Sequence, residues 1–342
     1  MKILNLIRYK NLIFIVLIQW LVFNSVITPI LTKYGMQPFL PNFFLVKYAW
    51  QPFPNFCFWL IVLATVLIAA GGYVINDYFD LKIDRINHPE KVIVGEAISK
   101  KSAMSLYIAL TSVGVLLGII VSILLKSNTL GFIFVITAGM LWFYSSSYKR
   151  QFLIGNLIVA FCSALSLVVV VVAESALQTA HYSSELLRQT PVLQELYYWV
   201  CGFALFAFIF TFIREIIKDL EDINGDREME CQTMPIVWGE KNAKIVLTCL
   251  LSITLIALLF IVNKLNLPND NGISLKYLLF GIALPSILVI IFLWYQKMEN
   301  NYKNAGNLIK FIMLIGILYS LIFNYLLCKE YQLAFLGIFK II

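Results

Sequence analysis

The sequence predicts an all-α membrane protein: nine transmembrane helices in a single domain, residues 1–342. Three observations lead there. Of the 342 residues, 61% are hydrophobic and only 13% charged, where a soluble domain carries nearer ~25% charged residues. Apolar runs of about 20 residues, the length a spanning helix needs, recur nine times. Lys and Arg fall unevenly between the loops on the two sides of these runs, as membrane topology demands.

The first run, 11–31, ends in Thr28-Pro29-Ile30-Leu31. It has no small-residue cleavage site, so it reads as a retained span rather than a signal peptide. Loop 32–54 is rich in Pro and aromatic residues and is expected at the membrane interface. The second run, 55–77, passes straight into an acidic stretch. Runs 102–125 and 129–147 follow, the latter ending in Tyr144-Ser145-Ser146-Ser147-Tyr148-Lys149-Arg150. After run 152–173 comes a polar loop, 174–195, in which Glu174 reads as an interfacial residue and His181 as a solvated one. Run 196–217 leads into a second acidic stretch. Runs 243–263, 274–295 and 307–327 complete the set, and the tail from Cys328 is short and mostly apolar. The six cysteines show no paired spacing, so neither a zinc site nor a disulfide framework is expected.

An odd number of spans puts the termini on opposite sides. Of the 26 Lys and Arg residues, most share the side of Lys2, Lys82, Lys149, Arg214 and Lys303, and the minority share the side of Lys33, Lys126 and Lys264. The positive-inside bias places the N-terminus in the cytoplasm and the C-terminus outside. The net charge of +7 is spread over loops, so it is read as orientation in a bilayer and not as a nucleic-acid surface. Both acidic stretches then face the cytoplasm.

The first acidic stretch is Asn76-Asp77-Tyr78-Phe79-Asp80-Leu81-Lys82-Ile83-Asp84. Asn76, Asp80 and Asp84 are spaced to share one face of a helix, with Asp77 about a quarter-turn away. Acids this close repel unless a cation sits among them, and oxygen ligands suit Mg²⁺ above all. Taken alone, the same stretch also fits a solvated acidic loop capping a membrane helix. The second stretch, Lys218-Asp219-Leu220-Glu221-Asp222-Ile223-Asn224-Gly225-Asp226, repeats the pattern: Asp219, Asp222 and Asp226 share a face. Gly225 is expected to loosen that helix near its end. Two such clusters on one membrane face could hold two Mg²⁺ ions and through them a diphosphate, with Lys149, Arg150 and Arg214 as assisting cations. Each of these three cations also fits an ordinary positive-inside anchor.

These residues resemble the UbiA family of intramembrane prenyltransferases. Asn76, Asp77, Asp80 and Asp84 match its NDxxDxxxD motif, and Asn87-His88-Pro89 with Gly95 resembles the continuation. Asp222 and Asp226 match its DxxxD motif, followed by Thr233, Pro235 and Gly239. Tyr144 to Arg150, then Gly155-Asn156, resembles the segment on the fourth span. His88 stands where the family more often has Arg, Cys231 replaces a frequent Gly, and loop 32–54 is long.

The resemblance implies a helical bundle around a central cavity that opens to lipid. It implies an isoprenyl diphosphate as donor, a lipophilic acceptor, Mg²⁺ as cofactor and loss of pyrophosphate. The expected metal ligands are Asn76, Asp77, Asp80, Asp84, Asp219, Asp222 and Asp226. Asn76, Tyr144, Lys149, Arg150 and Arg214 are expected at the diphosphate, with Asp80, Asp222 and Lys149 catalytic. Within the family, Arg214 to Asp222 looks most like the branch that prenylates geranylgeranylglyceryl phosphate, an ether-lipid step. Aromatic acceptors of quinone synthesis are the alternative acceptor class. A secondary transporter is the competing class, but it calls for charges at mid-span, and here the acids gather at helix ends. A non-catalytic prenyl-binding scaffold is a further alternative.

Overall fold

The computed structural model describes residues 2–39, 52–87, 89, 92–265, 267–268, 270–295, 301–336 and 339–340. His88 and most of loop 32–54, with the expectations placed on them, lie outside these. Among the described residues nine helices are long and apolar enough to cross a membrane: α1 (Tyr9–Lys33), α2 (Phe56–Phe79), α3 (Lys100–Leu124), α4 (Asn128–Ser146), α5 (Ile154–His181), α6 (Val192–Glu221), α7 (Glu240–Lys264), α8 (Ile273–Trp294) and α9 (Asn301–Glu330). The protein is therefore an all-α integral membrane protein with the number of spans its hydropathy predicts. In the most apolar window of each span, α1 and α2 are 67% and 61% buried, whereas α3, α4 and α7 are only 22%, 22% and 17% buried. The first pair is the most enclosed by neighbouring helices; the other three have most of their surface free of protein contact.

Two expectations change. The polar loop expected at 174–195 shrinks, because α5 runs on to His181 and α6 begins at Val192. Glu174 is not interfacial: it is fully buried. One of its oxygens accepts from the Phe39 amide (2.9 Å) and from Gln178 Nε2 (2.7 Å). These partners supply what water would have given a carboxylate at a membrane surface.

Helix α1 is irregular for a local reason. It widens to a π-turn over Val22–Ile27, just before Pro29. In that wider turn the Thr28 amide reaches back to the Phe23 carbonyl. The next amide would serve Asn24, but residue 29 is proline and has none. The Asn324 side chain of α9 donates to that Asn24 carbonyl instead, at 3.1 Å. A proline thus fixes where α9 must lie against α1.

Small residues set the closest helix pairs, as is usual where apolar surface gains nothing from leaving water. A Cβ at Gly114 of α3 would fall 2.8 Å from Ile68 Cγ1 and 3.1 Å from the Ala64 carbonyl oxygen of α2. The second obstacle is backbone and cannot rotate away. Gly114→Ala is expected to push α3 from α2 and cost about 1–3 kcal/mol. A lowered melting temperature in detergent would record it; an unchanged one would show that the pair has slack.

Candidate active site

Both acidic stretches are built the same way. At the end of α2 the helical ladder continues through a bend: the Asp80 amide donates to Asn76 O and the Asp84 amide to Asp80 O, both at 2.9 Å. A short helix, Leu81–Asn87, follows. At the end of α6 the Asp222 amide donates to Lys218 O (2.9 Å) and the Asp226 amide to Asp222 O (3.1 Å), leading into the helix Ile223–Glu228. Asn76, Asp80 and Asp84 therefore keep one face, as their spacing predicts, and so do Asp222 and Asp226.

The two stretches meet through one side chain. Asn87 Nδ2 donates to the Asp222 carbonyl (3.2 Å), while its Oδ1 accepts from the Gly225 amide (2.9 Å). Gly225 does not loosen the helix as expected. It is buried inside Ile223–Glu228, and a Cβ there would lie 2.5 Å from both Asn87 Oδ1 and Nδ2. The glycine is required by close approach, not by backbone flexibility.

A third piece comes from the turn between α4 and α5. A Cβ at Gly155 would fall 2.8 Å from Lys149 Cα, so only glycine lets residues 148–150 fold back onto α5. That turn delivers Lys149 into an ion pair with Asp80, whose side chain is 4% exposed. Tyr144, one turn earlier, is buried beside it. Arg150 is exposed, and its carbonyl accepts from the Gln232 amide (2.8 Å), which ties this turn to the loop after the second stretch. Gly239, which closes that loop before α7, has φ +81 and ψ 153, a conformation open essentially to glycine alone.

The remaining acids are also partnered. Asp77 accepts from Arg8 at 2.9 Å, Asp219 accepts from Asn156 Nδ2 at 2.8 Å, and Glu215 pairs with Arg214. Arg8 holds a left-handed backbone, φ 51, where the chain breaks between the helix Lys2–Leu6 and α1. Such a conformation costs about 1–3 kcal/mol in a non-glycine residue; the Arg8 side chain is held by the Asp77 pair and by the Tyr73 ring, 5.0 Å from the guanidinium. Among the described residues no three acids, thiols or imidazoles stand close enough to enclose a metal as they are. Lys149 supplies the positive charge at Asp80.

Lys149 and Lys218 both act on the neighbouring acids, but burial outweighs them. Burial, then the neighbouring Asp80, pushes the Asp84 carboxyl up to about 6 against the pull of Lys149. Burial also pushes Asp226 up to about 6; Lys149 opposes this and Asp222 adds to it. Behind these groups a cavity of about 420 Å³ runs into the bundle. Its polar end carries Arg8, Asn76, Tyr144, Arg214, Glu215 and Lys310, and its walls are apolar, with Ile15, Ile68, Phe134 and Val169 among them.

The UbiA prenyltransferase family model matches residues 38–318. The chain belongs to the UbiA family. It is thus an integral membrane prenyltransferase, and the transporter and scaffold readings are not favoured. One relative, the digeranylgeranylglyceryl phosphate synthase of Sulfolobus acidocaldarius, is 33% identical over 80% of this chain and 87% of its own length. Two solved structures share the fold. A UbiA homolog from Aeropyrum pernix covers 88% of this chain and 96% of its own, with TM-score 0.57 and 19% identity. A UbiA homolog from Archaeoglobus fulgidus bound to DMAPP and Mg²⁺ covers 92% and 98%, with TM-score 0.51 and 16% identity.

Several residues of this UbiA-family site do not stand out in the sequence. Arg8 and Lys310 read as topology charges. Glu215 lies outside the repeating Asp pattern. Asn87 and Asn156 fall inside family-like segments, but only their hydrogen bonds say what they hold.

Proposed function

We propose that this chain works as a single domain that transfers a geranylgeranyl group from its diphosphate to geranylgeranylglyceryl phosphate, at the cytoplasmic face of the cell membrane. The observation that carries the chemistry is the Asn87 bridge, which braces the two Asp stretches against each other, and Asn76 of the first stretch also lines the cavity. The acceptor rests on the similarity to digeranylgeranylglyceryl phosphate synthases, of which the Sulfolobus enzyme is one. The orientation rests on the positive-inside bias.

The donor set fits Mg²⁺. It is all oxygen, and burial, reinforced by a neighbouring Asp, holds protons on two of its carboxyls up to about 6. Asn76, Asp80 and Asp84 would serve on one side and Asp222 and Asp226 on the other. Asp77 and Asp219 would join them on release from Arg8 and Asn156. When bound, Mg²⁺ takes up charge on the diphosphate oxygens and makes pyrophosphate a better leaving group. Lys149, Arg150 and Tyr144 would contact the same diphosphate. The apolar wall takes the prenyl tail and excludes water, which would otherwise capture the allylic cation. The C1–O bond to diphosphate breaks, the acceptor hydroxyl oxygen bonds to C1, and the hydroxyl proton is lost.

Pyrophosphate release from purified protein in lipid, with geranylgeranyl diphosphate, Mg²⁺ and each acceptor class in turn, tests this reading. Release that needs geranylgeranylglyceryl phosphate supports it. Release only with an aromatic acid keeps the chemistry and replaces the acceptor. No release with any acceptor overturns it.

The raised carboxyls give a pH dependence. A protonated carboxyl is a poor ligand, so Mg²⁺ affinity is expected to be full above about 6 and to fall as the pH drops through that value. Between pH 7 and pH 5 the Mg²⁺ concentration for half-saturation should rise about tenfold for one such group, and about a hundredfold if both bind one ion. A melting-temperature titration with Mg²⁺ at the two pH values reads this directly. Equal affinities at both would remove Asp84 and Asp226 from the ligand set.

A further inference from the structure

The cavity is closed at the end away from its charges. On α2 it is lined from Asn76 back to Thr65, and on α5 from Val159 on to Val169. At 1.5 Å per helical residue both stretches give a depth of about 15–16 Å. The far end is formed by Ile18, Thr65, Val169 and Phe134, and the Phe134 ring is the largest side chain of the four. One turn further on, Val22, Ile61 and Leu130 are fully buried in the same packed core as Phe134. The ring is also fixed from behind. A Cβ at Gly118 of α3 would fall 2.5 Å from Phe134 Cγ and Cδ2 and 2.7 Å from its Cβ. The backbone of α3 therefore sits directly against the ring, which can retreat only if two helices part. The hydroxyls along the way are already engaged: Thr65 donates to the Ile61 carbonyl (2.8 Å), Ser166 to the Ser163 carbonyl (2.6 Å) and Thr211 to the Ser163 hydroxyl (3.1 Å). These donors make no demand on an apolar tail.

We propose that Phe134, backed by Gly118, is the stop that limits the prenyl donor to four isoprene units. The proposal rests on the transfer reading above and names what sets the length of its donor. The depth matches the chain. A peptide residue spans about 3.3–3.6 Å over three bonds when extended, so an isoprene unit of four main-chain bonds spans about 5 Å. With the first unit held at the diphosphate, the three remaining units of a geranylgeranyl chain reach about 14 Å, and a fourth would bring the reach to about 19 Å. The first length fits a depth of about 15–16 Å; the second drives the chain end into the Phe134 ring. Because the ring is held between the cavity and α3, a longer tail has to fold back or displace packed side chains, and both are unfavourable.

The test varies the stop and the donor together. Transfer to geranylgeranylglyceryl phosphate in lipid is measured with farnesyl, geranylgeranyl and geranylfarnesyl diphosphate, which carry three, four and five units. The proteins are the native chain, Phe134→Ala, Phe134→Leu and Phe134→Trp. Ratios of kcat/KM between donors are compared within each protein, so that a general loss of folded enzyme cancels. The native protein is expected to favour four units over five by about tenfold. Phe134→Ala should remove most of that preference. Phe134→Leu should move the ratio the same way by less, and it carries the test if the alanine variant does not fold. Phe134→Trp should shift the ratio of three units to four about tenfold toward the shorter donor. Native protein that takes five units as well as four, or ratios that stay the same in every variant, would overturn the stop while leaving the transfer reading intact. Transfer from none of the donors would overturn both.

Discussion

Asp80→Asn and Asp222→Asn are each expected to lower prenyl transfer by about 10²–10³-fold, the size of losing one preorganised electrostatic group at a reacting centre. Both changes keep side-chain volume and remove only charge, so lost activity would report on the anionic oxygen. Their effects on stability should differ. Asp80 is the partner of Lys149 and is almost completely buried. Neutralising it leaves a partly buried ammonium unpaired, which is destabilising. Asp222 sits between two helices, with its carbonyl held by Asn87, and that hydrogen bond survives the substitution. The melting temperature should therefore drop more for Asp80→Asn than for Asp222→Asn. Adding Lys149→Met to Asp80→Asn should restore stability without restoring transfer. Turnover retained in both single variants would exclude the paired-motif mechanism.

Gly225→Ala is expected to be nearly as damaging, although it touches no charge. The new methyl would meet both polar atoms of the Asn87 side chain at 2.5 Å. Asn87 cannot turn aside without giving up its bonds to Asp222 and Gly225. The short helices that carry Asp84 and Asp226 would be forced apart. A displacement near 1 Å at a reacting centre costs about 10²-fold in rate. Asn87→Ala removes the obstacle and the bridge together. The double variant should therefore be no worse than Asn87→Ala alone, and the two losses should not multiply. Independent, multiplicative losses would mean that Gly225 acts through something other than Asn87. Because the bridge sets the spacing of the two stretches, both variants should also need more Mg²⁺ for half-saturation.

Much of this was legible in the sequence. Nine apolar runs gave nine spans because a helix in lipid must satisfy its own backbone and present apolar side chains all round. The four-residue spacing of Asn76, Asp80 and Asp84 survived a bend because the hydrogen-bond ladder runs through it. Where the sequence misled, the missing information was a neighbour. Glu174 looked interfacial because nothing local shows that the Phe39 amide and Gln178 would come to it. Gly225 looked like a helix breaker because close approach by Asn87, 138 residues away in the chain, leaves no mark in the sequence around it.

The sequence by itself determined the membrane class, the number of spans and the helical spacing of the acids at the ends of two of them. These follow from hydropathy and helical period, both of which are local or additive along the chain. Tertiary structure decided which acid meets which cation: Lys149 with Asp80, Arg8 with Asp77, Asn156 with Asp219. It also decided that one asparagine joins the two clusters. Electrostatic and hydrogen-bond partners are chosen by distance in space, and in a nine-helix bundle that distance is set by packing between helices rather than by separation along the chain.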